Sequence, residues 1–198
     1  MPVVHFSGST VPPIPPRVYL DTSFLFRCYF GRVTPTGLSA AEQSKNAACN
    51  SFLTHLSVSA MHVSLLAVEE ALHTAYFKTH VIRLSKQNGF GIKWKDFRQQ
   101  RPSHFQGART LGLLEVKRFA AFLDTLPVKF IDSDTYVQRS NSIPFVIKYA
   151  RLVLEKYSTI EVMDTYHVAL MRVNRIDWFV TAEQRLGTGF DEFSVLTL

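Results

Sequence analysis

The 198-residue sequence contains only two cysteines, Cys28 and Cys49, and has no apolar run long enough to span a bilayer. Two cysteines in a chain of this length provide no disulfide framework, and their separation does not match a close metal-binding spacing. The first 16 residues also lack the basic and apolar regions of an export signal. We therefore expect a cytoplasmic protein that is not attached to a membrane.

Acidic residues are scarce between Lys78 and Arg118, where ten lysines and arginines accompany only two acids and give a local charge of +8. The net charge of the whole chain is +6, so the remainder is slightly acidic. A solvated face is the usual meaning of such a charge run, but a polyanionic partner is favoured here. The reason is that aromatic side chains able to stack on unpaired bases lie within the block. They are Phe90, Trp94, Phe97 and Phe105.

The sequence thus predicts a nucleic-acid-binding surface in this block, preferring single strands. Its expected phosphate contacts are Lys93, Lys95, Arg98 and Arg101.

The order of the predicted elements indicates an α/β protein. Candidate strands alternate with helices, which implies a mostly parallel central sheet with helices on both faces. The predicted strands are Val18–Leu20, Met61–Ser64, Val128–Ile131, Ile176–Thr181 and Phe193–Leu196. The predicted helices include Ala40–Leu56, Leu65 to about Arg83, Thr110–Leu126, a stretch from Ser133 or Asp134 to about Tyr157, and Ile160–Val173.

Three other stretches carry predictions about organisation. Residues 1–16 are rich in proline and are expected to form an extended or disordered arm without packed structure. Residues 17–198 are expected to form one domain. Within it, residues 85–109 lose apolar periodicity and predict a basic insertion or long loop. The helix that follows, Thr110–Leu126, is expected to bury a stripe of six residues, which are Leu113, Leu114, Val116, Phe119, Ala120 and Leu123.

Asp21 is the first of four acids placed just after predicted strands or early in predicted helices. It ends the apolar run Val18–Leu20, and Thr22 or Ser23 can cap the helix that follows. Taken alone, Asp21 is most simply a helper of that cap. Ligands of open α/β sheets, however, bind at this strand-to-helix edge.

Glu70 is the second acid and lies early in the helix that follows Met61–Ser64. It shares a helical face with Leu66 and Ala67, so we expect it on the core side, whereas Glu69 points elsewhere. Near a helix N-terminus, a surface glutamate stabilised by the helix dipole is the simpler alternative.

Asp164 is the third acid and shares a helical face with His167, Val168 and Met171. A carboxylate that faces inward needs a compensating partner. Glu161, one turn earlier, is either an outer ligand or a helix-start acid. His167 is more often a packed or hydrogen-bonded histidine than a metal ligand, so we assign it a positioning role at most.

Glu183 is the fourth acid and follows the strand that ends with Thr181, whereas Asp177 precedes that strand and is excluded. Carboxylates gathered at one edge repel one another unless a positive charge lies between them. Oxygen ligands suit Mg²⁺ or Mn²⁺, and no cysteine lies near these acids to favour Zn²⁺. We expect metal-assisted hydrolysis of a phosphodiester. The expected metal ligands are Asp21, Glu70, Asp164 and Glu183.

These motifs give the sequence a resemblance to the PIN-domain nucleases, and among them to the VapC-like toxins of toxin–antitoxin pairs. The matching motifs are V-Y-L-D-T-S-F-L at 18–25, V-S-L-L-A-V-E-E at 63–70, D-T-Y-H-V-A-L at 164–170 and D-W-F-V-T-A-E at 177–183. The resemblance implies a PIN-like α/β domain with magnesium- or manganese-dependent endoribonuclease activity. By position, Asp21, Glu70 and Asp164 match the family's first three acids, while Ser23 and Thr181 match its supporting hydroxyls.

The chain departs from the family at Glu183, where aspartate is usual, and in its length. The resemblance further implies a homodimer and an antitoxin protein that covers the acidic site. Two alternatives stay open: a catalytically inactive PIN-like module that binds RNA or protein, and a haloacid-dehalogenase-like phosphatase. The phosphatase is disfavoured because its mechanism needs a second aspartate where Ser23 stands.

Overall fold

Short runs rich in β-branched and aromatic residues form a parallel six-stranded sheet. The structure, a computed structural model, describes residues 3–5, 15–33, 38–56, 60–131, 150–156, 161–183 and 194–197. Its strands are β1 (Val3–His5), β2 (Arg17–Leu20), β3 (Ala60–Val63), β4 (Val128–Phe130), β5 (Trp178–Thr181) and β6 (Ser194–Thr197). The predicted α/β class is confirmed, and each of the five predicted strands is present within a residue or two of its expected bounds.

Helical segments connect most of these strands. They are α1 (Thr22–Val33), α2 (Ala40–His55), α3 (Leu65–His73), a π-helical segment (Thr74–Val81), α4 (Ile82–Gln87), α5 (Trp94–Gln100), α6 (Pro102–Asp124), α7 (residues 150–156) and α8 (Val162–Val173). The first part of the helix predicted from Ser133 or Asp134 lies outside the described residues. Among the described residues, no helix combines the length and apolarity needed to cross a membrane.

The sheet has the order β1-β6-β5-β2-β3-β4, and every strand pair in it is parallel. From β2 the chain proceeds through β3 to β4 on one side, whereas β5 and β6 lie on the other side. The order therefore reverses between β2 and β5. Such a switch point leaves a crevice at the carboxyl ends of the two strands, where open α/β sheets bind ligands.

Both faces of the central strand are covered. Val18, Tyr19 and Leu20 are successive residues of β2 and are all fully buried, although neighbouring side chains of a strand point to opposite faces. On one face, Tyr19 lies in register with Phe179, and both belong to a core cluster with Val168 of α8. This continuous burial is what a parallel strand with two covered faces requires.

The N-terminal arm departs from its expected lack of packed structure. Val3–His5 forms β1 and pairs with β6, with Val3 opposite Val195. The expectation is therefore wrong for these three residues. Residues 6–14 of the arm lie outside the described residues.

The chain divides into two compact units, which are Met1–Val68 with Pro127–Leu198, and Glu69–Leu126. The first unit contains the sheet, whereas the second is helical and includes the basic segment. The loop predicted over residues 85–109 is wrong, because α5 and the start of α6 occupy most of it. Gly89 and Gly91 both have positive φ and form the turn between α4 and α5, while Pro102 begins α6.

Helix α6 buries only part of the predicted stripe, since Phe119 is buried but Ala120 is exposed. Leu113 and Leu114 are 46% and 43% exposed, so their predicted burial is wrong. The buried residues follow a three-and-four spacing and are Ala108, Gly112, Glu115, Phe119 and Phe122. Glycine and glutamate occupy this stripe because Gly112 packs closely on Tyr76 and Glu115 pairs with His80 at 3.2 Å.

Candidate functional site

Asp21 lies at the carboxyl end of β2, at the switch point of the sheet. Its backbone N–H donates to the Val180 carbonyl at 2.9 Å, which fixes it beside the end of β5. Its side chain is only 5% exposed. A carboxylate this far buried needs hydrogen-bond partners, and the neighbouring residues supply them.

Three donors converge on one oxygen of Asp21. Ser23 Oγ donates to Oδ2 at 2.5 Å, Thr181 Oγ1 donates at 2.9 Å, and the Ser23 backbone N–H donates at 3.2 Å. An ionised carboxylate only accepts hydrogen bonds, so all three groups can donate to it together. Within the described residues, the other oxygen, Oδ1, accepts no hydrogen bond. One oxygen is thus held by the protein, while the second can serve a ligand.

The two hydroxyls are themselves fixed by the backbone after β5. Ala182 N donates to Ser23 Oγ at 3.1 Å, and Glu183 N donates to Thr181 Oγ1 at 3.0 Å. Each hydroxyl therefore accepts a hydrogen bond from a backbone amide and donates one to Asp21. The two hydroxyl oxygens also lie 3.1 Å apart, so the network is closed on itself and orients the Asp21 carboxylate. We call Asp21, Ser23, Thr181 and the two amides the switch-point network.

Asp21 is also the N-cap residue of α1, which is the simplest role that the sequence suggested for it. Leu25 N donates to its carbonyl oxygen at 3.0 Å, and its side chain accepts from the N–H of Ser23. The expectation that Thr22 or Ser23 caps this helix is therefore wrong by one or two residues. Thr22 instead donates its hydroxyl to the Ala67 carbonyl at 3.1 Å. Capping occupies Oδ2 alone, so it leaves the ligand role of Oδ1 open.

Asp164 lies in the first turn of α8, where its carboxylate closes the helix end. Its Oδ2 accepts from the Glu161 backbone N–H at 3.2 Å, and Glu161 is the N-cap residue. Of the two readings of Glu161, the helix-start acid describes its position. Asp164 is half-buried, and its hydrogen bond with Glu161 is a capping bond.

The other two acids occupy different positions. Glu183 follows β5 and is half-buried, and its backbone belongs to the switch-point network. Glu70 is on α3 but lies two residues beyond Val68, in the second compact unit. Its place beside Asp21 therefore stays a prediction from the sequence. The structure brings Asp21, Ser23 and Thr181 together directly.

His167 is buried on α8 and belongs to a hydrogen-bonded chain that the sequence did not indicate. The Tyr19 hydroxyl lies 2.6 Å from His167 Nδ1 and 2.6 Å from Ser64 Oγ, and Ala67 N donates to Ser64 Oγ at 3.1 Å. The polar role of Tyr19 could not be predicted from the sequence, because this residue lies in an apolar strand and resembles an ordinary core residue. The signal that could have found it is chemical, since a buried tyrosine hydroxyl needs a polar partner.

The predicted phosphate contacts Lys93, Lys95, Arg98 and Arg101 are all exposed in the second unit. Lys95 Nζ lies 6.0 Å above the Trp94 ring.

The donor set at the switch point suits a hard cation only in part. Asp21 offers an oriented carboxylate oxygen, and no thiol is near it to favour a softer metal, since Cys28 Sγ donates to the Cys49 carbonyl inside the protein. Burial raises the pKa of Cys49 to about 12. However, no three histidine, cysteine, aspartate or glutamate side chains in the described part of the chain are grouped closely enough to hold a metal. A complete ligand set is therefore not assembled among these residues.

No model of a known protein family matches the chain, and no curated protein matches it either. The sheet, the switch-point network and the charges of the chain are therefore the features from which a function can be inferred.

Proposed function

We propose that the chain is a metal-dependent endoribonuclease of the PIN-domain type, with Asp21 as its central acid. The observation that carries this proposal is the switch-point network, which holds a buried carboxylate at the ligand-binding edge of a parallel α/β sheet. Its supporting hydroxyls, Ser23 and Thr181, are the two that the resemblance to PIN-domain nucleases singled out.

Mg²⁺ or Mn²⁺ is the proposed cofactor, with Asp21 Oδ1 as the ligand that the network supports. Glu183 follows the neighbouring strand and is proposed as an auxiliary ligand, while Glu70 and Asp164 are proposed from their sequence motifs. When bound, such an ion supplies an activated water and stabilises charge on the phosphate. The contribution of the chain itself is to orient Asp21 and to keep its second oxygen committed to Ser23 and Thr181.

RNA is the proposed substrate because the second unit carries the basic segment. The homodimer and the antitoxin partner stay predictions from the resemblance, since no feature of the described residues supports either contact.

The test replaces Asp21 with asparagine and measures cleavage of a single-stranded RNA in Mg²⁺, Mn²⁺ or EDTA. We expect Asp21→Asn to lower the cleavage rate by at least about a hundredfold, because even groups that only support metal ligands are worth ten- to a hundredfold. The variant should still fold, because asparagine caps helices about as well as aspartate. Circular dichroism and thermal unfolding check this.

Asp177→Asn is the matched control for this experiment. It makes the same change at an exposed residue before β5, at the opposite edge of the sheet from Asp21. Its cleavage rate should equal that of the wild type. Full activity of Asp21→Asn would overturn the proposal, and so would equal losses in both variants.

A second candidate function is a PIN-like binding module without catalysis. The observation that favours it is that the described residues contain no group of three potential metal ligands, with Asp164 engaged as a helix cap. Calorimetric titration with Mn²⁺ separates the two functions. Binding of RNA without Mn²⁺ binding or cleavage would establish the module and exclude the nuclease.

A further inference from the structure

The aromatic residues of the second unit form its own small core instead of a platform for bases. Phe97 is fully buried, and its ring centroid lies 5.6 Å from that of Phe90 and 6.2 Å from that of Phe105. The Trp94 ring stacks on Phe105 at 6.3 Å and contacts Phe77 at 5.5 Å. The predicted stacking of Phe97 on bases is therefore wrong, and the three remaining predicted aromatic residues are only partly accessible.

The basic residues of the same unit are arranged in the opposite way. All ten lysines and arginines between Lys78 and Arg118 are exposed, and none forms an ion pair within the described residues. Lys95 and Arg98 are three positions apart on α5, and Arg109 and Lys117 are eight apart on α6. Spacings of three and of eight residues both place a pair on one helical face.

The acids within this segment do little to neutralise that surface. Glu115 is 9% exposed and faces His80 inside the unit, at 3.2 Å. Asp96 is exposed on α5, so one accessible acid stands against ten accessible lysines and arginines. An accessible cationic surface over a closed aromatic core offers charge and hydrogen-bond donors, but few ring faces.

We infer that the second unit binds the sugar–phosphate backbone of RNA without reading its bases. This inference rests on the proposed function for the identity of the polyanion and extends it by stating how the substrate is held. It also changes the expected preference between single-stranded and duplex RNA. Contacts to phosphates carry no sequence information, and duplex RNA has a higher density of phosphates than a single strand. Cleavage specificity then has to arise at the switch-point network.

The experiment measures binding of full-length Asp21→Asn to labelled 20-nucleotide RNAs by fluorescence anisotropy, in EDTA and over a range of salt concentrations. We expect oligo(U) and oligo(A) to bind with Kd values within about threefold, and a duplex to bind at least as tightly, because the phosphates dominate the affinity. In a Trp178→Phe background, which leaves Trp94 as the reporter, RNA should not quench the tryptophan fluorescence.

The test variant is Lys95→Gln/Arg98→Gln, compared with Lys129→Gln/Arg151→Gln in the first unit. Each double variant removes one lysine and one arginine from exposed positions. The first should weaken binding at low salt by at least about tenfold and lower the slope of log K against log salt by about 1.4, at roughly 0.7 per lost phosphate contact. The second should bind like its parent.

Four outcomes would overturn the inference: a difference of more than about thirtyfold between the two homopolymers, quenching of Trp94, equal losses in both double variants, or tighter binding to phosphatidylserine vesicles than to RNA. Because binding is measured without metal in a variant that lacks Asp21, these outcomes do not depend on cleavage. A wild type that binds RNA as expected but does not cleave it would overturn the proposed function and leave the binding mode standing.

Discussion

Tyr19 connects three structural elements through one hydroxyl group. The Tyr19 hydroxyl lies within hydrogen-bonding distance of both Ser64 Oγ and His167 Nδ1, so the three side chains form one buried chain of hydrogen bonds. These hydrogen bonds join β2, which directly precedes Asp21, to Ser64 at the end of β3 and to α8, which carries Asp164. The histidine therefore acts through packing and hydrogen bonding.

His62, on β3, gives the first pH prediction. Burial lowers the pKa of His62 below its usual value near 6.5, and the charges of Arg17 and Lys129 act in the same direction, while the Val18 carbonyl at 3.3 Å opposes them. The unfolded chain therefore binds the proton more readily than the folded protein. The stability that His62 contributes is complete above about pH 6.5 and is lost as the pH falls toward the lower folded pKa.

We expect the free energy of unfolding to decrease as the pH falls from 8 to 5, and His62→Gln to make that decrease shallower. Urea unfolding at successive pH values measures both proteins. His55→Gln, at an exposed position on α2, is the control and should follow the wild type. Parallel pH curves for the wild type and His62→Gln would contradict the prediction.

At the scale of elements, Gly31 sets how closely α1 approaches α2. A Cβ atom at Gly31 would lie 2.5 Å from the Asn46 carbonyl oxygen and 3.0 Å from Asn50 Cβ. The first neighbour is backbone, so it cannot move without shifting α2. Gly107 on α6 offers the opposite case, because its Cβ would meet nothing within 4 Å.

We expect Gly31→Ala to destabilise the protein by about 1–3 kcal/mol, the usual range for overpacking. Gly107→Ala should stabilise α6 by up to about 1 kcal/mol, because alanine has the higher helix propensity. Chemical denaturation followed by circular dichroism compares both variants with the wild type. Stabilisation by Gly31→Ala would show that the two helices are not in close contact at this residue.

The elements that sequence reasoning found and missed differ in how they bury their side chains. The strands ending at Leu20 and Thr181 are continuous apolar runs, so their burial and the acids after them could be predicted. Helix α6 could not be oriented correctly, because its stripe includes Gly112 and Glu115 while two leucines are exposed. Hydrophobicity alone does not reveal that the Tyr76 ring leaves no room for a side chain at Gly112, or that Glu115 pairs with His80 on another helical segment.

At the scale of the whole molecule, the site could be predicted in part. The sheet edge that holds Asp21, Ser23 and Thr181 follows from parallel topology, which brings the carboxyl ends of neighbouring strands together. Residues 85–109 of the second unit were expected to form an insertion or a long loop, because Gly89, Gly91, Pro102 and Gly107 interrupt the apolar pattern. The helices of this segment are held together by aromatic contacts between residues seven to eleven positions apart, which are Phe90–Phe97, Phe97–Phe105 and Trp94–Phe105.

The sheet order predicts how protection from hydrogen exchange varies across the molecule. Strands β2 and β5 have neighbours on both sides and are buried, whereas β1 and β4 are the outer strands. We expect the slowest amide exchange in β2 and β5 and the fastest in β1 and β4, because edge strands open locally at lower free energy. Hydrogen–deuterium exchange with peptide mapping measures this order. Equal protection of β1 and β2 would contradict it.

The hydrogen bond between Thr181 and Asp21 has a consequence for the synthesis of the chain, since the two residues are 160 positions apart. At about 5–20 residues per second, a ribosome takes roughly ten to thirty seconds to go from one to the other. Throughout that time the nascent chain contains Asp21 but not the donor that completes its orientation. Any chemistry that needs the finished network can therefore begin only after Thr181 has been synthesised. Until then the incomplete protein is attached to the ribosome, which is built largely of RNA.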